Sequence, residues 1–212
     1  MITCLVLTGY LLSGLSAMAQ DSIRQRVILI GDAGEINGAQ HKALEAAAGM
    51  IATGKTTVFF LGDNIYPHGM ALPGEKKQEA THDILRAQFV PMRAKGAAVY
   101  FVPGNHDWDR SGPKGLARIR EQGQFLQDQG DSLLQLIPAN GCPDPVAIPL
   151  GDSLVVIAYD SEWWVYPFAV NNDDAGCACG NKRDVLAKLE ELRYRYRHRT
   201  ILIASHHPFN SY

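Results

Sequence analysis

The sequence predicts an α/β fold, a layer of buried parallel strands joined by helices. Three observations carry that prediction. Continuous β-branched and aliphatic runs recur without the polar alternation of a strand that faces water on one side. Stretches with apolar residues at helical spacing stand between them, as right-handed strand–helix–strand units require. Each run also stops abruptly at a short turn built from Gly, Asp, Asn, Pro, Ser or His.

Arg26-Val27-Ile28-Leu29-Ile30 is the first such run and stops at Gly31-Asp32-Ala33-Gly34. Ala39 to Ala52 follows as a helix with Leu44, Ala47, Ala48 and Ile51 on one face, closed by Gly54 and Lys55. Thr57 to Leu61 is the second strand, ending at Gly62-Asp63-Asn64-Ile65-Tyr66. His82 to Met92 reads as a helix, and Ala97 to Val102 as a third strand that ends at Pro103-Gly104-Asn105-His106-Asp107. Gly115 to Asp128 is a further helix, and Ile137 to Pro149 a loop with a short extended piece. Leu154 to Tyr159 forms a fourth strand with Asp160 at its end, and Val165 to Asn181 shows no period and reads as a surface loop. Asp184 to Arg197 is the clearest helix, with Val185, Leu186, Leu189, Leu192 and Tyr196 along one face. Thr200 to Ala204 closes the series as a fifth strand, ending at Ser205-His206-His207-Pro208.

With 212 residues, a formal net charge of −2 and no basic stripe, the chain has no electrostatic footprint for nucleic acid or an anionic membrane. Ile2 to Leu15 is apolar and nearly uncharged, and Ala17-Met18-Ala19 presents small residues at signal-peptidase spacing. That stretch is shorter than the about 20 residues a spanning helix needs. It reads as a secretory signal peptide over residues 1–19, leaving one domain over residues 20–212 and no transmembrane segment in the mature chain. A secreted, periplasmic or cell-surface location follows. Cys142, Cys177 and Cys179 remain after cleavage, and Cys142 is expected to bond to Cys177 or Cys179.

Four of the strands end in turns that carry metal-ligand side chains: Asp32; Asp63 with Tyr66; Asn105 with His106; His206 with His207. Taken singly, each has a simpler reading as turn chemistry or a loop histidine. Strand C-termini of a parallel layer lie along one edge, however, so residues remote in sequence converge there. Carboxylate, phenol, amide and imidazole together, without thiolate, suit iron, zinc or manganese.

In order, Gly-Asp-x-Gly, Gly-Asp-x-x-Tyr, Gly-Asn-His-Asp and aliphatic-x-x-His resemble the purple acid phosphatase branch of the calcineurin-like metallophosphoesterases, from Val27 to Pro208. Tyr66 marks that branch, and Gly34 stands where other branches carry a ligating histidine. The resemblance implies a metallophosphoesterase-type β-sandwich flanked by helices, with a β-α-β-α-β metal-binding core. It implies two metal ions: ferric iron, Fe(III), on Asp32 and Tyr66, and a divalent Fe, Zn or Mn ion on Asn105 and His206, with Asp63 bridging both. Asn105 and His106 would face the substrate, a phosphate ester; His207 stands where relatives commonly have an aromatic residue and would either line the substrate pocket or be structural. A metal-activated hydroxide would attack phosphorus, with His106 protonating the leaving group and Asp107 supporting it as the second catalytic residue. The family's last motif, Gly-His-x-His, would lie beyond Tyr212, so a domain truncated at its C-terminus, a fragment of a longer protein, is expected. A phosphomonoesterase is the first expectation; a phosphodiesterase or nucleotide hydrolase with the same metals, or a non-catalytic binding domain, are its alternatives.

Overall fold

The computed structural model describes residues 23–168 and 176–208. The expected signal peptide, the middle of the loop around residue 172 and the last four residues lie outside the described residues.

The strands form two sheets rather than one layer. The first has the order β1–β2–β3–β4, all parallel, from β1 (Arg26–Ile30), β2 (Thr56–Leu61), β3 (Ala98–Val102) and β4 (Leu134–Leu136). Its crossovers are α1 (Gly38–Gly49), α2 (Gln78–Ala94) and α3 (Gly115–Gln127). The second sheet has the order β5–β6–β7, from β5 (Val146–Leu150), β6 (Leu154–Ala158) and β7 (Thr200–Ala204), with β5 antiparallel to β6 and β7 parallel to it. Two short helical pieces complete the fold: a 3-10 turn at Ala139–Gly141, and α4 (Ser161–Val165). The last helix is α5 (Lys182–Arg195).

Alternation along each strand decides which layer each side chain enters. Ile28, Val58, Phe60, Val99 and Phe101 pack against Leu44, Leu85, Met92 and Ile119 of the three helices. Their neighbours Phe59 and Val102 turn the other way and meet Leu150, Val156, Ala158 and Ala204 of the second sheet. Val155 and Ile157, on the outer face of that sheet, are covered by Leu192 of α5. The result is a helix–sheet–sheet–helix sandwich, the architecture that the motif resemblance implies.

The expected strands and helices are found, with shifted ends. α2 starts at Gln78 instead of His82, and Lys77 before it makes no side-chain cap that would have marked the start. By contrast, Asn37 caps α1 by accepting the N–H groups of Ala39 and Gln40, and Asn181 does the same for Arg183 and Asp184 of α5. β4 and α4 were not anticipated. Cys142 is bonded to Cys177, and Cys179 is a free, buried thiol that burial and the Asp144 carboxylate push up to about 11. Among the described residues no helix is long and apolar enough to cross a membrane.

Candidate metal centre

Each functional side chain sits on the turn that ends a strand, and the turns need unusual backbone. Asp32 and Asp63 both adopt left-handed conformations, with φ of 55° and 52°. Aspartate tolerates that region better than most residues do. Gly62, at φ 88°, lies so close to His206 that a Cβ there would meet the ring Nδ1 at 2.6 Å. A Cβ on Gly104 would meet Asp63 Oδ1 at 2.5 Å. The glycines of these motifs therefore let three loops from two sheets close on one point.

At that point the Tyr66 hydroxyl donates to Asp32 Oδ1 at 3.0 Å and Asp63 Oδ2 at 2.9 Å. The second Asp63 oxygen accepts the backbone N–H of His106 at 2.9 Å. Asp32 is exposed, whereas Asp63 is only 4% exposed. Burial, hydrogen bonding to the two carboxylates and their negative charge all hold the Tyr66 phenol protonated far above its ordinary range. Across Asp63 stands His206. Its Nδ1 lies 2.9 Å from the Leu61 carbonyl, which only accepts, so Nδ1 carries the hydrogen. In the neutral ring the Nε2 lone pair then faces Asn105 Oδ1 at 3.1 Å and Asp63 Oδ1 at 3.5 Å.

Imidazole lone pair, amide oxygen and carboxylate oxygen are all acceptors, and like groups do not satisfy one another. No Lys or Arg among the described residues pairs with Asp32 or Asp63. Ligand atoms of Asp32, Asp63 and His206 lie within 4.8 Å of each other. A cation is what this donor set lacks, and the histidine that donates its other nitrogen to a carbonyl is oriented as metal-binding histidines are. The residues fit a metal site.

His106 lies beside this cluster, its ring 4.4 Å from that of Tyr66 and its Nε2 3.9 Å from Asp63 Oδ2. Its Nδ1 contacts the Pro67 carbonyl at 2.8 Å. Asp107, expected to support His106, binds the backbone of the neighbouring turns. Fully buried, its carboxylate accepts N–H bonds from Gly104 (2.8 Å), Asn64 (3.0 Å) and Ile65 (3.1 Å), and from the Asn64 side chain (3.0 Å). Burial pushes this acid up to about 8, against the backbone donors, which favour the ionised form. His207 points away from the cluster. Its ring Nδ1 is 3.0 Å from Ser161 Oγ, and it lines a cavity of about 360 Å³ with Tyr159, Trp164 and Leu189.

Supporting residues that the sequence did not single out are polar side chains on buried faces. Gln88 of α2, fully buried, donates to the Asn64 carbonyl at 2.8 Å, and Gln40 of α1 donates to the Ala33 carbonyl at 2.6 Å. Each is a glutamine on the apolar stripe of its helix, which is the signal that marks it. Arg118 of α3 bonds the Met70 carbonyl at 2.7 Å and Glu75 at 3.0 Å, fixing the loop after Tyr66.

No curated protein matches the chain. A solved structure of a protein of unknown function from Aquifex aeolicus is similar at 13% identity and a TM-score of 0.39, over 87% of this chain and 80% of that one. The family model of the calcineurin-like phosphoesterases matches residues 25–211, nearly everything after the apolar N-terminal stretch. Strand-end ligands, paired sheets and family match converge, and the chain belongs to the calcineurin-like phosphoesterase family.

Proposed function

We propose that the protein is a secreted phosphomonoesterase of the purple acid phosphatase branch, working with two metal ions at the rim where the sheets meet. Asp32 and Tyr66 would hold ferric iron, Asn105 and His206 a divalent iron, zinc or manganese ion, and Asp63 would touch both. The observation that carries the reading is the geometry around Asp63. One of its oxygens meets Tyr66 and, through it, Asp32, while the other faces His206. The apolar leader and the Cys142–Cys177 bond support an oxidising, extracytoplasmic compartment.

When bound, the two cations supply Lewis acidity and neutralise phosphate charge. The chain's own residues orient the reactants and move protons. Pro67 can only accept, so His106 Nδ1 carries a hydrogen and Nε2 is the nitrogen that gains and gives a proton. That nitrogen faces Asp63, on the side where an ester bound to this cluster would lie. Protonating the leaving alkoxide there is worth roughly 10²–10⁴-fold. Asp107 keeps the Asn105–His106 loop and the Asp63–Tyr66 loop in register by taking N–H groups from both. His207, turned toward Ser161 and the cavity beside α4, takes no part in this arrangement.

Full-length protein loaded with iron should show a visible absorption band that Tyr66→Phe abolishes, and should hydrolyse p-nitrophenyl phosphate faster than its diester. A colourless, iron-free but active protein would remove the ferric assignment. Preference for the diester would replace the phosphomonoesterase reading.

A further inference from the structure

Three consecutive residues after β6 have no place in that chemistry, yet two are buried acids. Asp160 is 2% exposed and Glu162 is 1% exposed. Burying carboxylates costs several kcal/mol each unless partners compensate. Between them the three residues reach two different loops. Asp160 accepts the indole N–H of Trp108 at 2.8 Å, and its other oxygen caps α4 by accepting the N–H groups of Glu162 and Trp163. Glu162 accepts the Ser111 hydroxyl at 2.6 Å and faces His207 Nε2 at 3.8 Å. Ser161 accepts the backbone N–H of His207 at 3.0 Å, and its hydroxyl lies 3.0 Å from the ring Nδ1.

What these residues grip is a strained segment. Asp109, Arg110 and Ser111 take three successive left-handed conformations, with φ of 59°, 55° and 59°. Such residues are strained and persist only where surroundings over-determine them. This turn directly follows Asn105-His106-Asp107-Trp108, and His207 directly follows His206. One short segment therefore holds the loop that carries Asn105 and the loop that carries His206, from opposite sheets.

We propose that Asp160, Ser161 and Glu162 are positioning residues, a three-point brace that sets the spacing between Asn105 and His206. The brace rests on the reading of Asn105 and His206 as partners in one metal subsite, and it leaves the Asp32–Tyr66 side untouched. It acts before any metal arrives, which separates its test from that of the function.

In metal-free full-length protein, Ser161→Ala and Glu162→Gln should shift or broaden the NMR signals of Asn105, His106 and the His206 imidazole, with those of Asp32 and Tyr66 unmoved. Titration of the same variants with Zn²⁺ should show one subsite weakened by about 10–100-fold, the usual effect of removing a partner behind a ligand, and the other unchanged. Unmoved His206 and Asn105 signals overturn the proposal. So does an equal loss of both subsites together with the general fold, which would make the segment merely structural. If Glu162→Gln does not fold, Ser161→Ala, which removes one oxygen, decides the matter alone. A wild-type protein that takes up no Zn²⁺ would defeat the function, and the metal-free spectra would still judge the brace.

Discussion

Above pH 8, where its carboxyl is ionised, Asp107→Asn should destabilise the protein by about 2–6 kcal/mol. Oδ2 of Asp107 accepts Gly104 N–H at 2.8 Å and the Asn64 side-chain amide at 3.0 Å, and Oδ1 accepts the N–H groups of Asn64 and Ile65 at 3.0 and 3.1 Å. An asparagine must present its NH₂ at one of these two positions, whichever way the amide is turned. Two buried donors then face a donor, at about 1–3 kcal/mol each. Against the 5–15 kcal/mol that typical domains possess, the change is large. Urea unfolding reads it as a lower midpoint at unchanged slope. Because the lost bonds tie the Asp63 loop to the Asn105 loop, affinity for Zn²⁺ should fall in parallel. A shift under about 0.5 kcal/mol, the range of an inert surface change, would refute the claim that this carboxylate ties the loops.

Gly104→Ala should fold poorly or lose metal affinity, since its Cβ would collide with the Asp63 backbone nitrogen as well as with Oδ1, and a turn backbone cannot swing aside as a side chain can; zinc titration checks it. Glu75 is held down to about 2 by the Leu72 N–H, Lys114 and Arg118. Its folded value lies below its ordinary 4.5, so the unfolded chain binds more protons between the two. That stabilisation is present above pH 4.5 and fades as pH falls toward 2; Glu75→Gln should flatten the acid limb of a stability–pH curve in this window. Replacing Cys142 and Cys177 by serine should lower stability by about 2–4 kcal/mol, from release of the loop they close. Cys179, being buried, should resist alkylation until the protein unfolds, as mass spectrometry of the treated native protein would show.

Long, uniform segments were legible in the sequence. β1, β2, β3, β6 and β7 announced themselves as unbroken apolar runs, and α5 by its single apolar face. β4 has three residues and α4 five, too few for any period to emerge. The division into two sheets was not written in the strands themselves, because β5 and β6 pair through the turn at Gly151-Asp152-Ser153 while β7 pairs across α5. The choice of Cys177 over Cys179 likewise depends on which thiol the loop brings to Cys142. At the site, ligand types at strand ends were visible. The ties behind them were not: Asp107 to Asn64 and Asp160 to Trp108 join residues with nothing between them in sequence to suggest a meeting.

The convergence at Asp63 also has a kinetic side. β1, β2 and β3 can pair in sequence as each crossover helix forms, so Asp32, Asp63, Tyr66 and Asn105 assemble early and nearly in chain order. His206 comes from the edge strand of the other sheet and reaches Leu61 only after β7 has docked on β6 and the two sheets have closed. Contacts of such long sequence separation form slowly. Full metal affinity is therefore expected as a late event on the folding path, and uptake of the ion in a refolding experiment would serve as a clock for closure of the sandwich.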